Sequence, residues 1–536
     1  MDFVLTLHSH LPYVLNHGAW PHGTDWICEA AIDTYLPLLA HFRELEGASV
    51  PAPVTIAFTP VLANQLAHPT FKRELDRYFE ARLASCAEAA AELEQIDGGS
   101  LAAVARFWSQ RLGEMRTLYH AIDRDIPAAF RHLAHRGRLE IAGGAATHGF
   151  LPLLGRDESI RLQLGLGRAE HLRIFGQLPD GCWVPECAYR PRGWWEPMKS
   201  APHPRVRAGT EQFVAEAGFR WFFADSHMAR EHGQTRTPYR AYDVAHGPNG
   251  SLSVLLRDPR SSAQVWSRQG GYPGDQWYLE FHKIRYPGGL KLWRVSGPGT
   301  DLGQKQPYVP HNAEGQVREH AGHYANLLAQ IEREQHPWGT NLIAVPFDTE
   351  LYGHWWFEGT KFVSDLYRAL LHQPQIRPVT ASRHLAERPE RPGLQLAEGS
   401  WGADGDFSMW LNPRTSWTWE RLWPLEERFW ELAPRALGQP SAHEALAQAA
   451  RTLLLAQSSD WQFIISTGEA TDYADHRFHS HTSDLDRLLA ALGSGVATGA
   501  LDEASRIAAE LRTRDDVFPD VLPSIATALG MGHRAG

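Results

Sequence analysis

The chain reads as an α/β protein built on a barrel of parallel strands, and three observations predict this. Seven or eight short apolar runs alternate with helical stretches, which implies a parallel sheet with crossover connections. His10, His148, Glu186, Asp225 or His227, Arg257 and Asp348 each stand just after one of those runs. An open doubly wound sheet gathers its site at one switch point, whereas a barrel collects residues from many strand ends.

Phe3–Leu7 is the first expected strand and runs into His8-Ser9-His10-Leu11-Pro12-Tyr13; Thr55–Phe58 is the second, ended by Thr59-Pro60. From Pro69 to about Leu133 apolar residues recur at three and four, the period of a helix face. Arg138–Ala142 returns to strand and breaks at Gly143-Gly144. A helix over Glu158–Phe175 leads to Cys182-Trp183-Val184. Pro185 stops that ladder because it has no N–H to give, and Glu186 follows at once. A helix at Gly209–Ala217, a strand at Trp221–Ala224, a loop-rich Glu231–Tyr242 and a strand at Leu252–Leu256 come next. Ser261–Gly299, rich in Gly, Pro and aromatics, reads as a long binding loop. A helix at Ala313–Glu334 precedes Leu342–Phe347, which delivers Asp348; a helix over Lys361–His372 and a short strand at Ile376–Val379 close the series. Residues 388–399 hold two prolines and two glycines and mark a boundary. The expected division is a barrel over 1–387, a linker over 388–399 and an all-helical domain over 400–536.

The 536 residues carry 43% hydrophobic and 21% charged side chains, enough for a large core. A formal net charge of −10 argues against nucleic-acid and anionic-membrane partners. Four cysteines without a C-x-x-C spacing indicate neither a disulfide scaffold nor a structural zinc site. No signal peptide or membrane span is apparent, so the expected location is the cytoplasm. Twenty Trp are unusual. Most suit a core, but several sit beside Gly, Pro, His and Asp, where flat rings suit stacking on sugars.

Glu186 alone could pair with Arg190 or Arg192, and Asp348 alone could cap a helix. Two strand-end carboxylates beside Trp183, Trp355 and Trp356 fit a retaining glycosidase, which needs a nucleophile and an acid/base about 5–5.5 Å apart. Apolar neighbours would raise the acid's pKa as that role demands. His8 and His10 should point to opposite faces, yet with His148 and a carboxylate either could join a zinc site.

The motifs H-S-H-L-P-Y, A-T-H-G-F-L-P-L-L, W-V-P-E-C-A-Y-R-P and F-D-T-E-L-Y-G-H-W-W resemble, in order, the signature regions of glycoside hydrolase family 57. Q-V-W-S…G-Y-P-G, G-S-W-G…W-L-N and S-S-D-W extend the resemblance over nearly the whole chain. Within that family the chain is most similar to the 1,4-α-glucan branching enzymes. The resemblance implies an incomplete (β/α)7 barrel, a small inserted helical subdomain over 188–245 and a C-terminal helical domain closing one side of a glucan cleft. It makes Glu186 the nucleophile and Asp348 the acid/base, and it gives His10 and His148 sugar hydrogen bonding in preference to zinc. It places Tyr239 on a mobile loop that excludes water, and it makes Arg257, Gly274, Trp401 and Asp460 glucan contacts with Trp266 as a stacking aromatic. The implied activity is retaining transfer of an α-1,4-glucan segment (from amylose, amylopectin or glycogen) to a 6-hydroxyl, with no metal or organic cofactor. The alternatives are an α-amylase or 4-α-glucanotransferase of the same family, a metal-dependent deacetylase using His8, His10 and His148, and a non-catalytic glucan-binding protein.

Overall fold

The structure, a computed structural model, describes residues 1–95, 99–231, 234–248, 250–267 and 270–531. His232-Gly233 of the expected loop Glu231–Tyr242, Arg268-Gln269 of the expected binding loop, residues 96–98 and residues 532–536 lie outside the described residues.

Among the described residues, seven parallel strands close on one another. They are β1 (Asp2–Ser9), β2 (Thr55–Phe58), β3 (Glu140–Gly144), β4 (Gly181–Trp183), β5 (Trp221–Asp225), β6 (Gly250–Arg257) and β7 (Leu342–Asp348). Each pairs with the next, and β7 returns to β1 in register from Asp2↔Leu342 to His8↔Asp348. All of β1 is buried, as expected of a parallel strand covered on both faces. The ring is weakest between β6 and β7, which meet at one register pair, Arg257↔Ala344. Beyond that level no strand among the described residues lies beside β7 on that side, and there Pro346, which cannot complete a ladder, is tolerated. The barrel is thus split at the end where Arg257 and Asp348 emerge.

The strand at 138–142 was expected to break at Gly143-Gly144, but both glycines belong to β3. The reason is close packing. A Cβ on Gly167, in the helix Asp157–Phe175, would lie 2.0 Å from the Gly144 carbonyl oxygen. Residues 188–245, expected as an inserted helical subdomain, contain instead barrel strand β5, a hairpin (Gly193–Trp195 with Arg205–Arg207) and one short helix, Thr210–Glu216. The long helical excursion sits between β2 and β3, where helices Pro69–Leu93 and Ser100–Ala121 pack side by side.

Residues 388–399 are tied down by backbone hydrogen bonds from Leu394 to Asp243, Ala397 to Met228 and Gly399 to Tyr189. Helices from Ser416–Leu437 to Leu522–Ala528 follow. Indole N–H groups of Trp423 and Trp430 donate to Leu153 O (2.8 Å) and Ser159 Oγ (2.9 Å), fastening this region to the segment that leads out of β3. Ten of the twenty Trp are buried.

Gly167→Ala should overpack the contact between its helix and β3 and destabilise the fold by about 1–3 kcal/mol. Urea unfolding reads this; an unchanged midpoint would show that the contact relaxes freely.

Candidate active site

Glu186 sits on the turn after β4 in a left-handed conformation (φ 60°, ψ 19°), a backbone state uncommon for a non-glycine residue. That turn places its carboxylate against the polypeptide that follows the barrel. Trp401 Nε1–H donates to Oε2 and the Ser459 hydroxyl to Oε1, both at 2.9 Å. The Trp401 backbone N–H donates to the Glu186 carbonyl at 3.0 Å. Arg190 turns away to the carbonyls of Pro191 and Ala208, so it does not neutralise Glu186. Burial pushes the Glu186 carboxyl up; its two hydrogen bonds and the charge of His10 pull it back in part.

Asp348 ends β7 and is followed by a single 3-10 turn, Thr349–Leu351, to which its side chain gives no cap hydrogen bond. Its carboxyl is therefore not consumed by the backbone. Burial, then the charges of Glu350 and Glu186, push it well above the usual carboxylate range, and Arg257 opposes only in part. Glu350 is itself buried, accepts from the Tyr35 hydroxyl and the His10 backbone N–H, and is pushed by burial up to about 7. Arg257 bonds Asp225 at 3.4 Å and lies 5.8 Å from the Trp401 ring centre.

The three histidines form a stack. His10 lies on His148 with ring centres 4.0 Å apart, and His8 lies on Trp183 at 4.2 Å. The expectation that His8 and His10 diverge fails because residues two apart along a strand lie on the same face, and the two rings stack with centres 6.0 Å apart. The hydrogen bonds fix the tautomers. Ser459 donates to Glu186, so it accepts from His148 Nδ1–H at 2.9 Å. Burial, with His10 beside it, keeps His148 neutral, so its Nε2 is an acceptor and takes the proton of His8 Nε2 at 3.1 Å. A wire therefore runs His8→His148→Ser459→Glu186, leaving His8 Nδ1 as a bare buried lone pair. His10 donates to Asp460 Oδ2 at 2.9 Å. Burial alone would raise Asp460, but His10 outweighs it and brings the carboxyl to about 2, while His10 is raised above the usual imidazole value against its own burial.

This wiring does not fit a zinc site at His8, His10 and His148, because only His8 Nδ1 keeps a free lone pair. Among the described residues one other group, His17, His481 and Asp515, could hold a metal ion. There Arg477 donates to His481 Nε2 at 3.1 Å, so the proton of this neutral ring sits on Nδ1, the atom facing Asp515. The nitrogen that would bind a metal thus carries hydrogen, and the group reads as a tie between the loop after β1 and the C-terminal helices.

Glu186, Asp348, His10, His148, Arg257, Trp266, Trp401 and Asp460 all line one cleft of about 1510 Å³. Tyr239 does not. It is buried, donates to Asp258 Oδ1 at 3.1 Å, and its carbonyl accepts from the N–H groups of Asn341 and Leu342 at the start of β7. It is a packing residue at the barrel's other end, not a loop over the site. Gly274 also lies outside the lining, in the turn Tyr272–Gly274. Ser459 and Glu350 were missed as site residues. The signal was present only as neighbours of Asp460 and Asp348 in S-S-D-W and F-D-T-E. Trp20, Trp266, Trp355, Phe463 and Tyr286 line the cleft while remaining largely exposed, a rim of flat apolar faces above polar groups.

Family models match residues 4–395 to glycosyl hydrolase family 57 and residues 422–525 to the C-terminal region of 1,4-alpha-glucan branching enzymes. A 1,4-alpha-glucan branching enzyme of Thermococcus kodakarensis is 38% identical over 537 residues, spanning 96% of this chain and 77% of that protein. The crystal structure of a GH57-type branching enzyme from Pyrococcus horikoshii superposes with a TM-score of 0.92 at 38% identity, covering 98% of this chain and 96% of that one. The alpha-amylase AmyC of Thermotoga maritima follows with a TM-score of 0.83 at 27% identity, covering 98% of this chain and 99% of that one.

Asp348 should keep its proton to a pH above the usual carboxylate range. In infrared difference spectra of wild type against Asp348→Asn, followed with pH, its protonated-carboxyl band should persist above that range; a band lost within the ordinary carboxylate range would contradict this.

Proposed function

Because the chain belongs to glycosyl hydrolase family 57, we propose that it is a 1,4-α-glucan branching enzyme acting on amylose, amylopectin or glycogen. The observation that carries the proposal is the pair Glu186 and Asp348. Both are buried carboxylates at barrel strand ends in one aromatic-rimmed cleft, and part of the wall of that cleft comes from the helical region matched to branching enzymes.

Glu186 attacks the anomeric carbon of an internal α-1,4 linkage while Asp348 protonates the leaving oxygen. The product is a β-linked glucosyl ester on Glu186 and a freed reducing-end fragment. Asp348, now ionised, takes the proton from the 6-hydroxyl of an acceptor glucose, whose oxygen displaces Glu186. Two inversions give net retention and an α-1,6 branch. Trp401 and Ser459 hold the Glu186 carboxylate by both oxygens, and the wire through His148 fixes Ser459 as a donor. Asp460 favours the protonated form of His10, and the charge of that ring in turn favours the ionised form of the nucleophile Glu186. The cysteines are all buried and unpaired, which supports a reducing compartment such as the cytoplasm.

Incubation with amylose, followed by debranching, should release new chains from α-1,6 points; finding only shorter linear chains would favour an amylase. Glu186→Gln should lower the rate by about 10⁴-fold or more. Asp348→Asn should cost about 10²–10⁴-fold. Since Asp348 must be protonated to act, activity falls as pH rises through its pKa, which the Glu350 charge helps to raise. Glu350→Gln should therefore move the alkaline limb of the pH–rate profile to lower pH; an unmoved limb would show that the Glu350 charge does not reach Asp348.

A further inference from the structure

Part of the long loop predicted to bind ligand runs as a hairpin, with bridges Leu279↔Arg294 and Arg285↔Leu290. Its tip, Tyr286 to Gly289, reaches the helix Pro69–Leu93 and forms the wall of a cleft arm that no catalytic step described above uses. The tip is fastened there. Arg82 Nη1 donates to the carbonyls of Gly288 and Gly289 (2.7 Å to the latter), and Arg285 pairs with Glu92. Gly288 and Gly289 take φ of +96° and +62°, and a Cβ on them would lie 2.6 Å from Ser85 and 2.7 Å from Arg82. Positive φ at both positions and the short distances favour glycine here.

What the fastening presents is an aromatic side chain in water. Tyr286 is 63% exposed, and it meets Trp20, 68% exposed, edge to face at 6.4 Å. Two large rings left in solvent, one on a tip held by two arginines, are a preorganised apolar platform. Asp25, Glu29, Glu74 and Arg77 line the same arm and offer hydrogen-bonding partners for hydroxyl groups. Flat apolar faces bordered by carboxylates suit a sugar ring, whose faces are C–H and whose rim is O–H. The arm is continuous with the cleft that holds Glu186 and Asp348, so its occupant is the same polymer.

We propose, on the basis of the branching reading above, that Tyr286 and Trp20 form a distal glucan subsite that sets the length of the segment transferred. A chain long enough to reach this platform gains a contact that a shorter one lacks, and segments of that length are held through the two displacements.

The test is to digest amylose with wild type, Tyr286→Ala, Tyr286→Phe and Arg82→Ala, reading both KM for amylose and the chain-length profile after debranching. Tyr286→Ala should shift the profile toward shorter chains and raise KM by up to about tenfold, one aromatic contact's worth. Tyr286→Phe keeps the ring and should keep the wild-type profile. Arg82→Ala should shift it in the same direction as the alanine variant, by releasing the tip. Thermal melting of the variants, near that of wild type, separates these effects from unfolding. An unchanged KM and profile in Tyr286→Ala, or the same shift in Tyr286→Phe, would overturn the subsite. An unchanged Arg82→Ala would overturn the fastening. A wild type that makes no α-1,6 branches would refute the branching reading instead, and KM for amylose would still decide the subsite.

Discussion

A carboxylate buried at the bottom of a cleft must have its charge met, and the way Glu186 meets this demand organises the molecule. The barrel fixes where the residue stands, through the end of β4, Pro185 and a left-handed turn. Among the described residues it gives the carboxylate no hydrogen-bond donor of its own. Both donors, Trp401 and Ser459, come from the polypeptide after residue 399. The helical region is thus part of the site, and its docking has to be accurate to within a hydrogen bond. That accuracy is achieved locally. Ser459 N–H donates to the His148 carbonyl, Gly149 bridges Ser458, and Gln163 holds Thr147 and Gln457 together. The segment leaving β3 and the turn carrying Ser459 are effectively one structure.

The two carboxyls of the pair are both pushed up by burial, yet their surroundings separate them. Glu186 receives two hydrogen bonds and faces His10, whose protonated form Asp460 favours; Asp348 receives no cap bond and faces the carboxyls of Glu350 and Glu186. One site favours the charged form more than the other, which is how two similar side chains come to act as nucleophile and acid. The hydrogen-bond chain from His8 to Ser459 sharpens the distinction, because it directs the Ser459 proton to Glu186.

Much of this was legible in the sequence because parallel barrels put chemistry directly after apolar runs. Glu186 and His148 follow their strands, Arg257 and Asp348 are the last residues of theirs, and Pro185 marks the end of its ladder. Tyr239 was misplaced because T-R-T-P-Y looks the same in a loop above the site as in a buried turn below it; only the bonds of its carbonyl to Asn341 and Leu342, at the start of β7, distinguish them. Gly143 and Gly144 looked like a break because glycine's role in close packing depends on a partner, Gly167, that local reading does not see. Ser459 and Glu350 could not be found by pattern. Ser459 acts on Glu186, 273 positions away, Glu350 acts on Asp348 only because both end up buried, and serine or glutamate beside an aspartate is unremarkable.

The central claim is that Glu186 becomes covalently bonded to the sugar while Asp348 handles protons. Asp348→Asn offered an α-maltosyl fluoride, whose leaving group needs no acid, should accumulate a glycosyl ester because the second step lacks its base. Peptide mapping by mass spectrometry should find that ester on Glu186. An adduct on another residue, or inverted product released with no adduct, would contradict the account.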